Sequence, residues 1–326
     1  MLASITTEDV ESENGIHAGS HRNVASMPGI AISGILMRPL DEVDLGRVRD
    51  LRNVVRWSAD PRAFDLLRGS RDARWTVAQA PDGSLAGMVG AVPLGGVGIL
   101  CHLAVHDEYR GLGLGAGLSR WAVAYLRSRG ARFIRLYSTR QAARLYNSLG
   151  FKTIAPRTVH RLEEAPGRGS FYRELPPGHR VEPMLLRDLP EVYGLDLWSY
   201  GADRSALIFA ALRLHPGGGL LARDASGRVN GYLVRSSPPR ATHIGPFLAA
   251  SPDVARMLLS RALRDGEPGK PFEAISTEGT GQVRGLFAEF GFTGRTDRLR
   301  MELGDATMFP ASTGPTHFGT TPYLAT

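Results

Sequence analysis

The sequence predicts two α/β (α+β) domains in tandem, and three observations carry that prediction. Strand and helix patterns alternate from residue 35 to residue 162. A break rich in Pro and Gly follows, at Pro166-Gly-Arg-Gly and Pro176-Pro-Gly. Beyond it the same order of elements starts again, and Leu286-Phe-Ala-Glu-Phe-Gly-Phe292 echoes Leu145-Tyr-Asn-Ser-Leu-Gly-Phe151. With 326 residues the chain is long enough to bury two sizeable cores.

Taken in order, residues 1–33 mix Ser, Asn, Gly and His without periodicity and read as a mobile leader. A first domain spans 34–163. Ile35-Leu-Met-Arg-Pro-Leu40 is a strand, and Asp41 caps a helix running to about Val54. The runs from Arg74 and from Leu85 form a hairpin across Asp82-Gly83. Strand 99–105, helix 116–129, strand 132–138, helix 141–149 and strand 151–162 complete the domain. Residues 164–179 are a linker, and a second domain spans 180–304. Val181-Glu-Pro-Met-Leu-Leu is its first strand, and Asp188 opens a helix. Leu220–Val234 is a hairpin around Ser226-Gly227, and strand His243–Leu248 leads into helix 252–264. The tail at 305–326, rich in Thr, Pro and Gly, reads as irregular.

The chemistry concentrates after the strand ending at Val105. Arg110-Gly-Leu-Gly-Leu-Gly-Ala116 places glycines at 111, 113 and 115 ahead of an amphipathic helix. Without Cβ atoms in the way, backbone N–H groups can converge there on an anion, and the helix N-terminus adds free donors and partial positive charge. The run also fits a relaxed dinucleotide fingerprint, which needs an acidic residue about 20 positions on. The next strand, Phe133–Ser138, ends in hydroxyls instead. A P-loop needs Gly-Lys-Ser/Thr, which is absent.

A second motif follows, Ala142-Ala-Arg-Leu-Tyr146-Asn-Ser-Leu-Gly150-Phe151. Together, L-A-V-x-x-x-x-R-G-x-G-x-G and A-x-x-L-Y-x-x-x-G-F resemble the GNAT family of acyl-CoA-dependent N-acyltransferases over roughly residues 35–162. The second half resembles the degenerate C-terminal domain of a tandem GNAT subfamily, through Tyr200-Gly-Ala-Asp-Arg-Ser-Ala-Leu, Ile244-Gly-Pro-Phe-Leu-Ala and Arg300-Met. It lacks a glycine cradle, and Phe287 stands where the first half has Tyr146. Ser138-Thr139 before the tyrosine helix also fits that subfamily.

The resemblance implies a mixed, mostly antiparallel sheet flanked by helices in each domain. It implies that strands on either side of the glycine loop splay apart and that the pantetheine arm of coenzyme A lies in the gap. Leu103, Ala104 and Val105 would bond its amides. Arg110, Gly111, Leu112, Gly113, Leu114, Gly115 and Ala116 would hold the pyrophosphate, with Thr139 also on the coenzyme side. Tyr146 would be the general acid that protonates the departing thiolate. Acetyl-CoA, or another acyl-CoA, would be the co-substrate with no metal. The acceptor would be a small-molecule or peptide amine, and a carrier-protein phosphopantetheine is the alternative donor.

No base is named by the sequence. The two positions GNATs often use hold Ile99 and Cys101. Cys101 reads as a small lining residue of the acceptor pocket. Strand alternation sends His102 to the opposite face, and His106, Asp107 and Glu108 lie just beyond the strand. Asp203 and Arg204 either shape an acceptor pocket between the domains or form a helix cap and an exposed pair. A rival of another class is a non-catalytic acyl-CoA sensor.

Composition narrows the remaining classes. No run approaches 18 consecutive apolar residues, so no membrane helix is expected. The acidic, polar N-terminus is unlike a signal peptide. One cysteine, Cys101, precludes an internal disulfide and points to a reducing cytoplasm. The net charge of +7 is carried almost wholly by arginine, with lysine only at 152 and 270. These arginines are scattered rather than clustered, which argues against a nucleic-acid partner and suits steering of a polyanionic coenzyme or acidic carrier. A monomer or homodimer is expected.

Overall fold

A computed structural model describes residues 31–32, 34–55, 64, 67–68, 70, 72–164, 177–237, 240–277, 281–304 and 315–320. Most of the expected leader and linker, and the tail at 305–314 and 321–326, lie outside the described residues.

The first half contains β1 (Ala31–Ile32), β2 (Ile35–Pro39), α1 (Leu45–Val54), β3 (Arg74–Gln79), β4 (Leu85–Leu94), β5 (Val97–Val105), α2 (Leu114–Ser128), β6 (Phe133–Ser138), α3 (Ala143–Ser148) and β7 (Lys152–Leu162). The second half contains β8 (Arg180–Pro183), α4 (Leu189–Tyr200), α5 (Ser205–Leu214), β9 (Gly219–Arg223), β10 (Val229–Ser236), β11 (Thr242–Ala249), α6 (Pro252–Arg264), β12 (Phe272–Ser276), α7 (Gly281–Glu289), β13 (Thr293–Gly304) and β14 (Thr316–Gly319).

Two expectations need correction at the chain's extremities. The leader was expected to run to residue 33, but Ala31 and Ile32 pair with Leu36 and Ile35 as a strand. Gly34 at φ +78° supplies the tight turn that permits this. The tail is not irregular throughout either. Thr316–Gly319 forms a strand against β11, anchored by the fully buried Phe318 packed on Phe247.

All described strands join one sheet, in the order β1-β2-β3-β4-β5-β6-β13-β7-β12-β11-β10-β9-β8, with β14 on β11. Only β5–β6 and β11–β12 are parallel; the other pairs are antiparallel. The sheet does not divide where the sequence does. β13, from the second half, bonds β6 along Phe133–Ser138 and bonds β7 on its other edge. β7, from the first half, in turn bonds β12. Each half therefore borrows a strand from the other.

Helices cover both faces, for reasons visible in the apolar spacing. In α2, Leu114, Leu118, Ala122 and Leu126 recur every four residues and form one buried stripe. They pack with Leu100, Leu136, Tyr146 and Met301 beneath α2 and α3. On the opposite face, Val48 and Leu51 of α1 belong to the same buried cluster as Val192 of α4 and Leu207 and Ile208 of α5. That core runs unbroken through both halves. A third core lies under α6 and α7.

Candidate functional site

Strands β5 and β6 hold together for only three pairs, Val97–Phe133, Gly98–Ile134 and Ile99–Arg135. Beyond Ile99 they part, leaving residues 100–105 and 136–138 facing a gap. The second half starts the same way, with β11 and β12 paired at Thr242–Phe272, His243–Glu273 and Ile244–Ala274. There the chain closes its own gap. β14 lies along β11 from Phe247 to Ala249, and the Thr320 N–H reaches across to the Ile275 carbonyl of β12 at 2.7 Å.

At the mouth of the first gap stands the glycine loop. Gly111 and Gly113 have φ of +81° and +78°, a left-handed backbone that only glycine adopts without strain. A Cβ at either would meet nothing within 4 Å, so the backbone faces open space. Gly115 serves differently: its missing Cβ lets the helix approach Leu145 and Val105. Gly113 is the N-cap of α2 and contributes no side-chain cap. Among the described residues, the N–H groups from Gly111 to Ala116 donate to no backbone acceptor. A ring of such donors at a helix N-terminus is suited to a phosphate anion. Arg110 departs from expectation, because its N–H already bonds the Asp107 carbonyl at 3.2 Å. Its guanidinium pairs with the Asp107 carboxylate at 2.6 Å, so Arg110 can reach an anion only through its exposed side chain. Thr139 is exposed, and its hydroxyl caps the turn into α3 by accepting from Ala142 N.

A bulge in β5 changes the expected facing of its side chains. Cys101 pairs with Gly90 but Ala104 pairs with Met88, so one extra residue is accommodated, with His102 at φ +53°. Leu103 and Val105 consequently pack toward α2, while Cys101 and Ala104 join the α1-side core. His102 was expected on the face opposite Cys101; the bulge turns it to the same face instead. Its ring stands edge-on to Phe64 at 5.7 Å and near Trp75 at 6.3 Å. Burial holds it down to about 3, so the imidazole is neutral at neutral pH. Burial likewise pushes the Cys101 thiol up to about 12, and it remains protonated.

Tyr146 projects from α3, whose end is closed by Gly150 at φ +88° and the Phe151 N–H bond to the Tyr146 carbonyl. The ring is buried and meets Phe151 edge-on at 5.8 Å. Burial raises its phenol above the ordinary tyrosine range, Arg298 opposes that rise, and the Cys101 thiol adds to it. Arg298 belongs to the borrowed strand β13. Sequence reasoning missed it, since nothing local ties residue 298 to the tyrosine helix. The register does: Leu299 sits opposite Ser138, the last residue of β6.

On the α1 side of the sheet runs a polar chain that links the halves. Arg135 of β6 donates from Nε to Glu302 at 2.8 Å and from Nη1 to the Tyr200 hydroxyl at 2.9 Å. Tyr200 stacks under the Arg204 guanidinium, 3.9 Å from its ring centre. Arg204 is 2% exposed and grips Asp196 through Nε and Nη2, at 3.0 and 2.5 Å. Tyr232 donates to the same carboxylate.

Neither reading of Asp203 and Arg204 survives intact. Asp203 is an exposed cap that accepts from Ser205 N at 2.9 Å. Arg204 is no exposed pair, and its guanidinium is committed to Asp196 rather than free for an acceptor. Arg204→Ala should therefore act on stability first, because it strands a buried carboxylate. A loss of about 3–5 kcal/mol is expected in denaturant unfolding, and a loss within about 0.5 kcal/mol would mean the pair is dispensable.

Residues 47–151 match the model described as the acetyltransferase (GNAT) family, and residues 192–309 match that described as an acetyltransferase (GNAT) domain. The Bacillus subtilis (strain 168) protein named "Uncharacterized N-acetyltransferase YitH" is 26% identical over 66% of this chain and 72% of its own. A Pyrococcus horikoshii crystal structure superposes with a TM-score of 0.71 at 21% identity, covering 95% of this chain and all of that one. A tandem GNAT protein from the clavulanic acid biosynthesis pathway gives a TM-score of 0.62 at 15% identity, covering 82% of this chain and 98% of that one. At these identities the two structures speak for the fold.

Proposed function

Because the chain belongs to the GNAT acetyltransferase family, with two such domains in tandem, we propose that its first half binds acyl-CoA and transfers the acyl group to a primary amine. Acetyl is the expected group. The observation that carries this reading is the open glycine loop beside a strand gap with a buried, protonated phenol on the adjoining helix. Gly111, Gly113 and the first turn of α2 would take the pyrophosphate. Leu103, Ala104 and Val105 would offer backbone groups to the pantetheine arm, with Thr139 at the turn beyond.

In the reaction the amine nitrogen attacks the thioester carbonyl carbon, and the C–S bond breaks as the carbonyl re-forms. Tyr146 gives its phenolic proton to the departing sulfur and recovers one, through solvent, from the nitrogen that has become an amide. A general acid of this kind is worth about 10²–10⁴-fold. Much of the remaining acceleration would come from holding amine and thioester in near-attack geometry. The proton balance closes without a second titrating side chain. The second half would bind no coenzyme, since it has no glycine loop and β14 fills its strand gap. Its role would be to complete the acceptor side of the first.

Calorimetry with coenzyme A should find one site per chain. Gly113→Asn tolerates the left-handed backbone but points a side chain into the cradle, and Gly113→Glu adds a repelling charge. Affinity should fall in the first and vanish in the second, with the thermal melt little changed for Gly113→Asn. Two sites per chain, or unchanged affinity in Gly113→Glu, would overturn the assignment. Coenzyme binding without thiol release from acetyl-CoA on any amine would favour the sensor instead.

A further inference from the structure

Arg298 makes no ion pair with any carboxylate among the described residues, although the Asp297 charge is felt there. Its neighbours each have a carboxylate within ion-pair reach. Arg135 holds Glu302 at 2.8 Å and Arg300 approaches the same oxygen at 3.3 Å. Arg157 takes both oxygens of Asp297, the residue that adjoins Arg298 in sequence. Arg204 takes Asp196. For Arg298 no ion pair is formed among the described residues, and its Nε is buried without a hydrogen-bond partner. Burying a charged nitrogen unmatched is costly, and it persists where something else supplies the partner.

Its position says what that partner belongs to. Leu299 faces the last residue of β6, so Arg298 stands one residue past the end of that strand, at the open end of the β5–β6 gap. Leu299, Met301 and Leu303 pack toward α2 and α3. Alternation therefore sets Arg298 with Arg300 and Glu302 on the other face, the side of α1, Cys101 and Tyr200. Arg157 lies directly across from it on β7, and the repulsion from that guanidinium exceeds the attraction of Asp297, so the Arg157–Asp297 pair supplies Arg298 with no net counter-charge. Within that setting it acts electrostatically on the Tyr146 phenol. The coenzyme's pyrophosphate has its own donors at Gly111–Ala116, and the phenol marks the thioester end. An anion at Arg298 would thus lie beyond the thioester, where the acceptor enters.

We propose that Arg298 receives an anionic group of the acceptor, so that the substrate is an amine carrying a carboxylate or phosphate close to the reacting nitrogen. The proposal rests on the acyltransferase reading above. The guanidinium fork suits either oxyanion, since both accept two parallel N–H bonds. It also gives the borrowed strand a chemical role: the second half completes the site by lending β13, and with it the residue that selects the acceptor.

The test is thiol release from acetyl-CoA on matched acceptors. α-Amino acids are compared with their decarboxylated amines, and phosphoethanolamine with ethanolamine. The wild-type enzyme should favour the anionic member of at least one pair, and which pair responds separates carboxylate from phosphate. Arg298→Met should raise KM for that member about 10- to 100-fold, with KM for its neutral partner and the coenzyme affinity unchanged. Arg298→Lys should restore part of the loss. Equal use of both members by the wild type would overturn the proposal. So would an Arg298→Met variant whose kcat falls alike on every acceptor with KM unchanged, since that would place the charge at the reacting carbonyl. Coenzyme binding with turnover of neither member also overturns it, whereas failure to bind coenzyme at all would overturn the underlying reading instead.

Discussion

A chain ending at Glu164 is expected to yield no folded, coenzyme-binding protein, although it contains the glycine loop and Tyr146. The cut removes β13, which bonds β6 from Phe133 to Ser138 and β7 from Lys152 to Arg161. Nothing in residues 34–164 can replace it, because every other strand of the first half already has its place in the sheet. Met301, fully buried among Leu136, Tyr146 and Phe151, goes with it, and so does the Glu302 partner of Arg135. The α1-side core loses the contributions of α4 and α5 as well. Losing a strand and half of a core exceeds the roughly 5–15 kcal/mol by which such domains are stable. Solubility, circular dichroism and coenzyme calorimetry on the shortened chain would check this. A soluble product that binds coenzyme as tightly as the full chain would show that the borrowed strand is not needed.

Why the sequence reveals the glycine loop and not the borrowed strand follows from the range of the interactions. The loop and the tyrosine helix are local: left-handed turns need glycine at particular positions, and a helix shows its apolar spacing within four turns. Pairing of β6 with β13 joins residues more than a hundred positions apart, and edge complementarity leaves no comparable mark on either strand. His102 illustrates a smaller version of the same limit. The period of two that places its side chain holds only while the ladder is regular, and one bulged residue reverses every facing beyond it. The burial of Arg204 leaves no local mark either, for another reason. An arginine beside a helix start usually lies at the surface, and only the tertiary fold brings Asp196, Tyr200 and Tyr232 around it. In the tail, Phe318 stands among Thr, His and Gly and gives no alternation from which β14 could be read.

Tyr146→Phe should lower turnover by roughly 10- to 1,000-fold while leaving coenzyme affinity and stability nearly as they were. The substitution removes one oxygen and keeps the ring, so the edge-on packing against Phe151 is retained. No described residue hydrogen-bonds that oxygen, so its removal leaves no orphaned partner in the fold. The loss therefore falls on the step in which the thiolate departs, and kcat and kcat/KM should drop together, as for an interaction made only in the transition state. The pH profile gives an independent check. Burial raises the phenol above the tyrosine range while Arg298 pulls it back. The acid form is then the one present through neutral pH, and the alkaline limb due to this group should lie above pH 10. Arg298→Met removes the opposing charge and should move that limb further up, whereas in Tyr146→Phe it should disappear. Equal turnover in Tyr146→Phe and wild type would reduce the residue to packing, and an alkaline limb that persists in the variant would assign the titration to a different group.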